Sequence, residues 1–194
     1  LPSDAPLFII ANEFFDALPI HQMVKGEATW HQRDVIVSSD RIEPVLGRNI
    51  PETVIPDELR SAAVGSIIET SPMTVRITGV LAERLAAQGG VGLIIDYGYD
   101  GPAIGDTLQA IKNHQFANPF QNPGDQDLTA HVDFGTLSAM ARTKAVAVSG
   151  PVGQGHFLMR LGIAARTVAL SNAKPEEAGA RASERDRLTG EDAM

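Results

Sequence analysis

The densest group of reactive side chains lies near the start of the chain, at residues 12–19 (NEFFDALP). It holds the carboxylates of Glu13 and Asp16 and the aromatic rings of Phe14 and Phe15. Fixed hydrogen-bond acceptors beside an apolar wall suit a cationic or amide substrate. The alternative is structural, with carboxylates that cap a turn and rings that pack in the core. We favour the functional interpretation, because these eight residues offer both the acceptors and the apolar wall that such a substrate needs.

Two apolar runs are predicted to position these groups. Residues 7–11 and 91–95 are continuous apolar runs without alternation, which is typical of parallel strands covered on both faces. The first run leads into Asn12 and Glu13, and the second leads into Asp96. In open α/β sheets the carboxyl ends of the strands form the ligand-binding edge. The sequence therefore predicts acidic groups from both strands at one edge.

The segment between the two strands is too long for a simple crossover. We expect an antiparallel β insertion over about residues 20–70, with a hairpin turn at Gly26. Ser71 is a predicted N-cap with Pro72 at the first helical position, so the crossover helix begins there and ends near Gly89. Trp30, in the insertion, is either a core residue or part of a partner surface.

The second half of the chain is less regular. Residues 98–130 are rich in Pro, Asp, Asn and Gln and predict a long loop without strong periodicity. Asp133 is a predicted helix cap. We then expect a strand at residues 145–149, a helix at residues 154–170, and a charged helical or fraying tail at residues 171–194.

Composition narrows the function classes. The chain has 194 residues, 24 acidic and 16 basic, and a net charge of -8, which disfavours nucleic acid as a partner. No apolar run is long enough to span a membrane, and the absence of Cys excludes disulfides and thiolate chemistry. We predict no metal site, because Glu13, Asp16, Asp96 and His131 lack a known ligand spacing.

Five short motifs, in this order, resemble the MidA family of methyltransferases. The resemblance covers about residues 6–166. The motifs are ANEFFDALPI at 11–20, GGVGLIIDYG at 89–98, GDTL at 105–108, DLTAHVDF at 127–134 and GPVGQG at 150–155. The last motif also resembles a dinucleotide-binding loop. That interpretation is disfavoured because the glycine order departs from G-x-G-x-x-G and Pro151 removes a backbone donor.

The resemblance implies a fold and an activity. The expected fold is α/β, a Rossmann-like methyltransferase sheet with the antiparallel insertion, in a partial domain over residues 1–170. Family members carry a glycine-rich first strand-loop-helix and an acidic second strand upstream of the first motif. No segment here resembles them, so we expect a chain that lacks the N-terminal strands and a final strand. The implied reaction is S-adenosylmethionine-dependent methylation, with protein arginine as the expected acceptor, as in the family's mitochondrial complex I assembly member.

The resemblance also orders the candidate site residues by role. They are Glu13, Asp16, Asp96 and His131 as catalytic residues, Asn12, Glu13 and Phe14 as cofactor contacts, and Phe15, Tyr97, Asp133 and Gln154 as substrate contacts. His131 and Asp133 each have a structural alternative, as a helix-start histidine and a plain N-cap, and Tyr97 has simple packing.

Two other function classes stay open. One is a non-catalytic assembly or scaffolding protein that keeps the fold and has lost cofactor binding. The other is a hydrolase built on Asp96, His131 and Asp133, for which the sequence offers no recognisable nucleophile. For the methyltransferase, a protein substrate is the expected partner and a homo-oligomer is an option. The expected location is the cytoplasm, or the mitochondrial matrix in a eukaryote.

Overall fold

The computed structural model of this α/β protein describes residues 2–38, 41–113 and 115–190. Its strands are β1 (Leu7–Asn12), β2 (His21–Lys25), β3 (Trp30–Ser38), β4 (Arg41–Ile50), β5 (Ile67–Thr70), β6 (Gly90–Ile95), β7 (Gly98–Tyr99), β8 (Gln109–Lys112), β9 (Gln115–Ala117), β10 (Asp127–Thr129) and β11 (Val132–Asp133). Its α-helices are α1 (Pro72–Gln88), α2 (Phe134–Thr143), α3 (Gln154–Arg160), α4 (Ile163–Ala173) and α5 (Ala178–Thr189). The chain divides into two compact units, Leu1–Val148 and Ser149–Met194.

The first unit is organised around the parallel pair β1 and β6. Leu7 lies opposite Gly90 and Asn12 lies opposite Ile95, so the carboxyl ends of both strands meet at one edge, as predicted. Gly90 is required at its position, because it has φ +120° and a Cβ there would lie 1.9 Å from the carbonyl oxygen of Leu7. The two strands therefore place the segments that follow Asn12 and Ile95 beside each other.

Helix α1 begins and ends where the sequence predicts. The hydroxyl of Ser71 accepts a hydrogen bond from the Thr74 amide, and Pro72 occupies the first turn. The helix ends at Gln88, and the next residue, Gly89, has a φ of +74° that suits glycine. Apolar side chains of α1, including Ile77 and Leu81, pack with Phe15, Val132 and Leu137 in a hydrophobic core cluster.

One face of the β1 and β6 pair is exposed and apolar. Phe8 is 83% exposed, Ile10 is 74% exposed and Val91 is 55% exposed. Parallel strands are normally covered on both faces, so this face is unusual for a strand pair of this kind.

The predicted antiparallel strands follow β1. They form a four-stranded sheet in the order β4-β3-β2-β5. Its core holds Met23, Trp30, Ile50, Ile55 and Ile68, and Trp30 has no exposed surface. Trp30 is therefore a core residue, and the partner-surface alternative for it is wrong. Residues 39 and 40, between β3 and β4, lie outside the described residues.

Residues 98–130 contain more structure than predicted. Strands β8, β9 and β10 form a small antiparallel sheet in the order β10-β8-β9. Its strands have three or four residues, too few for a clear alternation in the sequence. Beyond it, β11 pairs in parallel with β7, and the Val132 amide donates to the Tyr97 carbonyl oxygen at 2.8 Å.

Two predictions for the end of the chain are wrong. No described strand pairs with residues 145–149, and Ala145 has the left-handed φ of +59° that a strand does not tolerate. The single helix expected at residues 154–170 is broken, because Gly162 adopts φ +88° between α3 and α4. In the predicted tail, α5 is helical to Thr189, and residues 191–194 lie outside the described part of the chain.

Candidate functional site

The acidic loop, residues 13–16, follows β1 directly and is held against the end of β6. The Glu13 amide donates to the Ile95 carbonyl oxygen at 2.9 Å, which continues the β1 and β6 pairing by one residue. Glu13 has φ +45°, a left-handed conformation that is uncommon outside glycine. Strain of this kind is found at functional sites where the surroundings fix it. The chain therefore turns sharply at Glu13.

Asp96 fixes the rest of the acidic loop. Its Oδ2 accepts hydrogen bonds from the backbone amides of Phe15 at 2.9 Å and Asp16 at 3.2 Å. Its Oδ1 accepts from the Tyr97 amide at 3.0 Å. The carboxylate that was predicted to be catalytic thus has both oxygens bound to backbone donors, an arrangement that suits positioning the loop.

Asp16 is a buried carboxyl with an unsatisfied oxygen. The residue is 5% exposed, and its Oδ1 has no hydrogen-bond partner among the described residues. Burial raises the pKa of Asp16 above its ordinary 3.8, and the charges of Asp96 and then Glu13 raise it further. An unpaired acceptor in this position is costly unless a donor or a cation completes it.

The same charges act on Tyr97. Burial raises the pKa of Tyr97, and Glu13, Asp16 and Asp96 raise it further, in that order. Three carboxylates from two strand ends therefore share one electrostatic environment, as the two apolar runs predicted. The net effect of this environment is to favour a bound cation.

The two phenylalanines of the acidic loop have different surroundings. Their rings meet edge to face with centroids 5.2 Å apart. Phe15 is 2% exposed and packs with Val132 and Leu137, whereas Phe14 is 45% exposed. Asn12 and Glu13 are also exposed. The three predicted cofactor contacts are therefore accessible.

A cavity of 210 Å³ lies beside the acidic loop in the first unit. Its lining includes Phe15, Glu69, Val75, Tyr99, His131 and Asp133. It brings together the ring of Phe15 with His131 and Asp133, which the sequence predicted as site residues. Asp133 also caps α2, since its Oδ1 accepts from the Thr136 amide at 2.9 Å and its Oδ2 from the Thr136 hydroxyl at 2.6 Å.

Two further residues of the cavity lining are Tyr99 and Glu69, and Glu69 is not among the site residues that the sequence predicts. Glu69 is 7% exposed, and Oε1 accepts from the Gln22 side chain at 2.6 Å and from the Thr107 amide at 3.1 Å. Burial, then the charges of Asp133 and Glu69, raise the pKa of Tyr99 to about 12, so its phenol stays protonated at neutral pH. The available sequence signal for Glu69 was its charge, because it directly follows the apolar Ile68 near the end of a strand.

Gln154, the remaining predicted substrate contact, belongs to the second unit. Its side-chain amide donates to the Leu188 carbonyl oxygen at 3.2 Å in the same unit. Its proposed role at the substrate stays a prediction. Among the described residues, no cluster of three His, Cys, Asp or Glu side chains has an arrangement that could hold a metal ion. The described helices include none that is long and apolar enough to cross a membrane.

Comparison with known proteins gives the class. A family described as "Putative S-adenosyl-L-methionine-dependent methyltransferase" matches residues 1–152. The chain therefore belongs to this methyltransferase family, and the predicted resemblance to the MidA methyltransferases is confirmed.

Individual relatives are more specific. The chain is 36% identical over 167 residues to the mitochondrial protein arginine methyltransferase NDUFAF7 homolog of Caenorhabditis elegans, covering 84% of this chain and 39% of the relative. It is 38% identical over 181 residues to the Drosophila melanogaster homolog, covering 87% and 40%. It is 36% identical over 162 residues to human NDUFAF7, covering 82% and 36%. The chain thus spans well under half of the length of these relatives.

A solved structure shares the fold. A Burkholderia thailandensis protein crystallised with S-adenosyl-homocysteine superposes with a TM-score of 0.84 at 21% identity, covering all of this chain and 52% of that protein. This likeness shows that the chain has the α/β fold of the part of that protein that it covers.

Proposed function

We propose that this chain supplies the acidic loop and the adjoining cavity of an S-adenosylmethionine-dependent protein arginine methyltransferase. The observation that carries the proposal is the buried Oδ1 of Asp16, which has no hydrogen-bond partner in the described part of the chain and lies beside Glu13 and Asp96. The curated relatives named above as protein arginine methyltransferases support the reaction and the protein substrate.

The residues present fit a cationic cofactor and a cationic substrate. The exposed Asn12, Glu13 and Phe14, at the carboxyl end of β1, would hold part of the cofactor. When bound, S-adenosylmethionine would supply a methyl group attached to a positively charged sulfur. Transfer of the methyl group leaves that sulfur as a neutral thioether. The remainder of the catalysis needs alignment and electrostatics rather than a strong acid or base.

In this proposal Glu13 and Asp16 orient the guanidinium. They lie three residues apart on a loop whose backbone is fixed by Asp96. A planar guanidinium pairs with carboxylates in two-pronged geometry better than an ammonium does, so arginine is the preferred acceptor over lysine. Asp96 then acts as a positioning residue, because its oxygens are already bound to three backbone amides.

The exposed apolar face of β1 and β6 supports a larger, Rossmann-like sheet. Phe8 and Ile10 would be covered if further elements of the methyltransferase domain, outside these residues, packed on this face. These elements would include the glycine-rich loop that the family resemblance implies for the cofactor. We accordingly propose a partial methyltransferase domain over residues 1–170, with residues 171–194 as an appended tail.

The wider cellular assignment follows the relatives. Their printed names place the cited homologs in mitochondria. We propose the mitochondrial matrix for a eukaryotic source and the cytoplasm otherwise, with a role in complex I assembly in the former case. The net charge of -8 disfavours nucleic acid as the substrate, and a homo-oligomer is compatible with the proposal.

Product analysis tests the proposed reaction. The full-length protein that contains this chain is incubated with methyl-tritiated S-adenosylmethionine and with a mitochondrial or cytoplasmic protein extract from which the enzyme itself has been depleted. Hydrolysis and amino-acid analysis should find the label in methylated arginine. Label in methyl-lysine alone would refute the arginine assignment. No cofactor binding together with no transfer would favour the assembly or scaffolding class.

A further inference from the structure

We propose that the 210 Å³ cavity beside the acidic loop binds a basic side chain of the protein substrate, one that flanks the methylated arginine. The proposal rests on the proposed function, because it takes the acidic loop as the place of the arginine itself. It adds a substrate class: a polypeptide with a second basic residue close to the target.

The size of the cavity matches one side chain. Sites for whole ligands and cofactors usually enclose about 300 to 1,000 Å³. The cavity is smaller, at 210 Å³, and lies within the first unit. It shares Phe15 with the acidic loop, so a side chain in the cavity and a group at Asp16 would belong to neighbouring parts of one substrate.

The lining selects an apolar stem with a positive end. Phe15, Val75 and Val132 give the cavity apolar walls, which a methylene chain can contact. Glu69 and Asp133 add carboxylates, and the described lining residues include neither Lys nor Arg. A lysine or arginine side chain complements both properties, whereas an acidic one would meet like charge.

Of the two carboxylates, Asp133 has more acceptor capacity to spare. Glu69 accepts from Gln22, from the amide and hydroxyl of Thr107, and from the Leu108 amide. From the residues that the structure describes, the Asp133 carboxylate accepts the two bonds from Thr136 that cap α2 and no others, and an ionised carboxylate offers about four acceptor positions. Asp133 is therefore the residue expected to meet the basic group.

A chain of hydrogen bonds fixes the wall that carries these groups. The Thr107 hydroxyl donates to Glu69 Oε2, and its oxygen accepts from the His131 amide at 2.8 Å. Two residues further on, Asp133 pairs with Tyr99 in the β7 and β11 bridge. The buried Glu69 thus holds the segment that carries His131 and Asp133, which gives the cavity a defined shape before any substrate binds.

The test uses the full-length protein and two sets of acetylated heptapeptides with one central arginine. In one set a single lysine replaces glycine at each flanking position in turn, and in the other set uncharged norleucine does so. Binding is measured by calorimetry, and methyl transfer is measured separately. Asp133→Asn removes the charge and keeps an equally good helix cap. Val75→Phe fills the cavity, with Val75→Thr as its volume control and Asp100→Asn as the control for an exposed charge.

We expect lysine at one flanking position to bind about tenfold more tightly than norleucine there, because norleucine has no hydrogen-bond donor and a hydrogen bond to a charged group contributes at least about that factor. Asp133→Asn should remove that preference, and Val75→Phe should weaken both peptides. Equal binding of lysine and norleucine at every position, or a lysine preference that survives both variants, would overturn the proposal. A lysine preference in binding without methyl transfer would support the proposed cavity site and contradict the proposed methyltransferase activity. Methyl transfer without any lysine preference would support the activity and contradict the cavity site.

Discussion

Asp96→Asn is the change that most directly perturbs the geometry of the acidic loop. In the parent, the carboxylate accepts backbone amides from Phe15, Asp16 and Tyr97 at 2.9 to 3.2 Å. Asparagine keeps one acceptor oxygen and places an NH₂ group against at least one of these donors. The loop should therefore open more often, although the chain loses only a single charge.

The magnitude follows from the hydrogen bonds. A bond to a charged acceptor contributes about 1.5 to 3 kcal/mol and a neutral one about 0.5 to 1.5 kcal/mol, and an unpaired donor adds a further cost. Partial exposure and relief of repulsion with Asp16 reduce the total, so we expect about 2 to 3 kcal/mol. At 1.36 kcal/mol per tenfold, this is roughly a 30- to 150-fold change in the local opening equilibrium.

Amide hydrogen exchange on the full-length protein measures this opening. Exchange at Phe15 and Asp16 should accelerate by that factor in Asp96→Asn. The exposed Asp100 provides the control, because Asp100→Asn makes the same chemical change four residues away. If both variants leave the two amides as protected as in the parent, Asp96 does not hold the loop and its assignment as a positioning residue is wrong.

Three further changes have defined outcomes. Because the pKa of Asp16 is raised in the folded state, the free energy of unfolding should fall as the pH rises from 3.8 through the raised pKa. Asp16→Asn should flatten this part of the pH profile of stability, measured by urea titrations. An unchanged slope would contradict the pKa shift. Ser71→Ala removes the α1 cap and should cost about 1 kcal/mol of unfolding free energy, whereas Ser71→Asp should retain most of it. Gly90→Ala should strongly reduce soluble yield because of the contact with Leu7, while Gly92→Ala, whose Cβ would lie at 3.6 Å from its nearest neighbour, should be tolerated; equal yields would argue against the tight approach.

The elements that surround the acidic loop were predictable because their signals are local. The apolar runs at 7–11 and 91–95 predict β1 and β6, and the Ser71 cap predicts the start of α1. Asp133 is likewise visible as a cap from its own segment. Each of these depends on residues a few positions apart, which is the range over which propensity and capping act.

The cavity was not predictable for the opposite reason. The bonds of Glu69 reach Gln22 and Thr107, which are 47 and 38 residues away in the sequence. The break at Gly162 and the irregular backbone at 145–149 involve left-handed φ values at Gly162 and Ala145, which the apolar pattern of the sequence does not reveal. The buried Oδ1 of Asp16 became evident only once the sheet placed Asp96 next to it.

The central claim is that the charges of Glu13 and Asp16 orient a substrate guanidinium. The direct measurement is methyl incorporation into arginine-containing protein by the full-length enzyme. Glu13→Gln and Asp16→Asn are compared with the parent. Glu27→Gln is the control, because Glu27 is an exposed glutamate in a turn. Cofactor affinity is measured alongside. The predicted result is a fall of roughly 10²-fold or more in transfer for Glu13→Gln and a fall for Asp16→Asn, in line with the loss of about 3 kcal/mol of electrostatic stabilisation, with no fall for Glu27→Gln. Near-parent rates in both acidic-loop variants would contradict the claim and leave these carboxylates with a structural role.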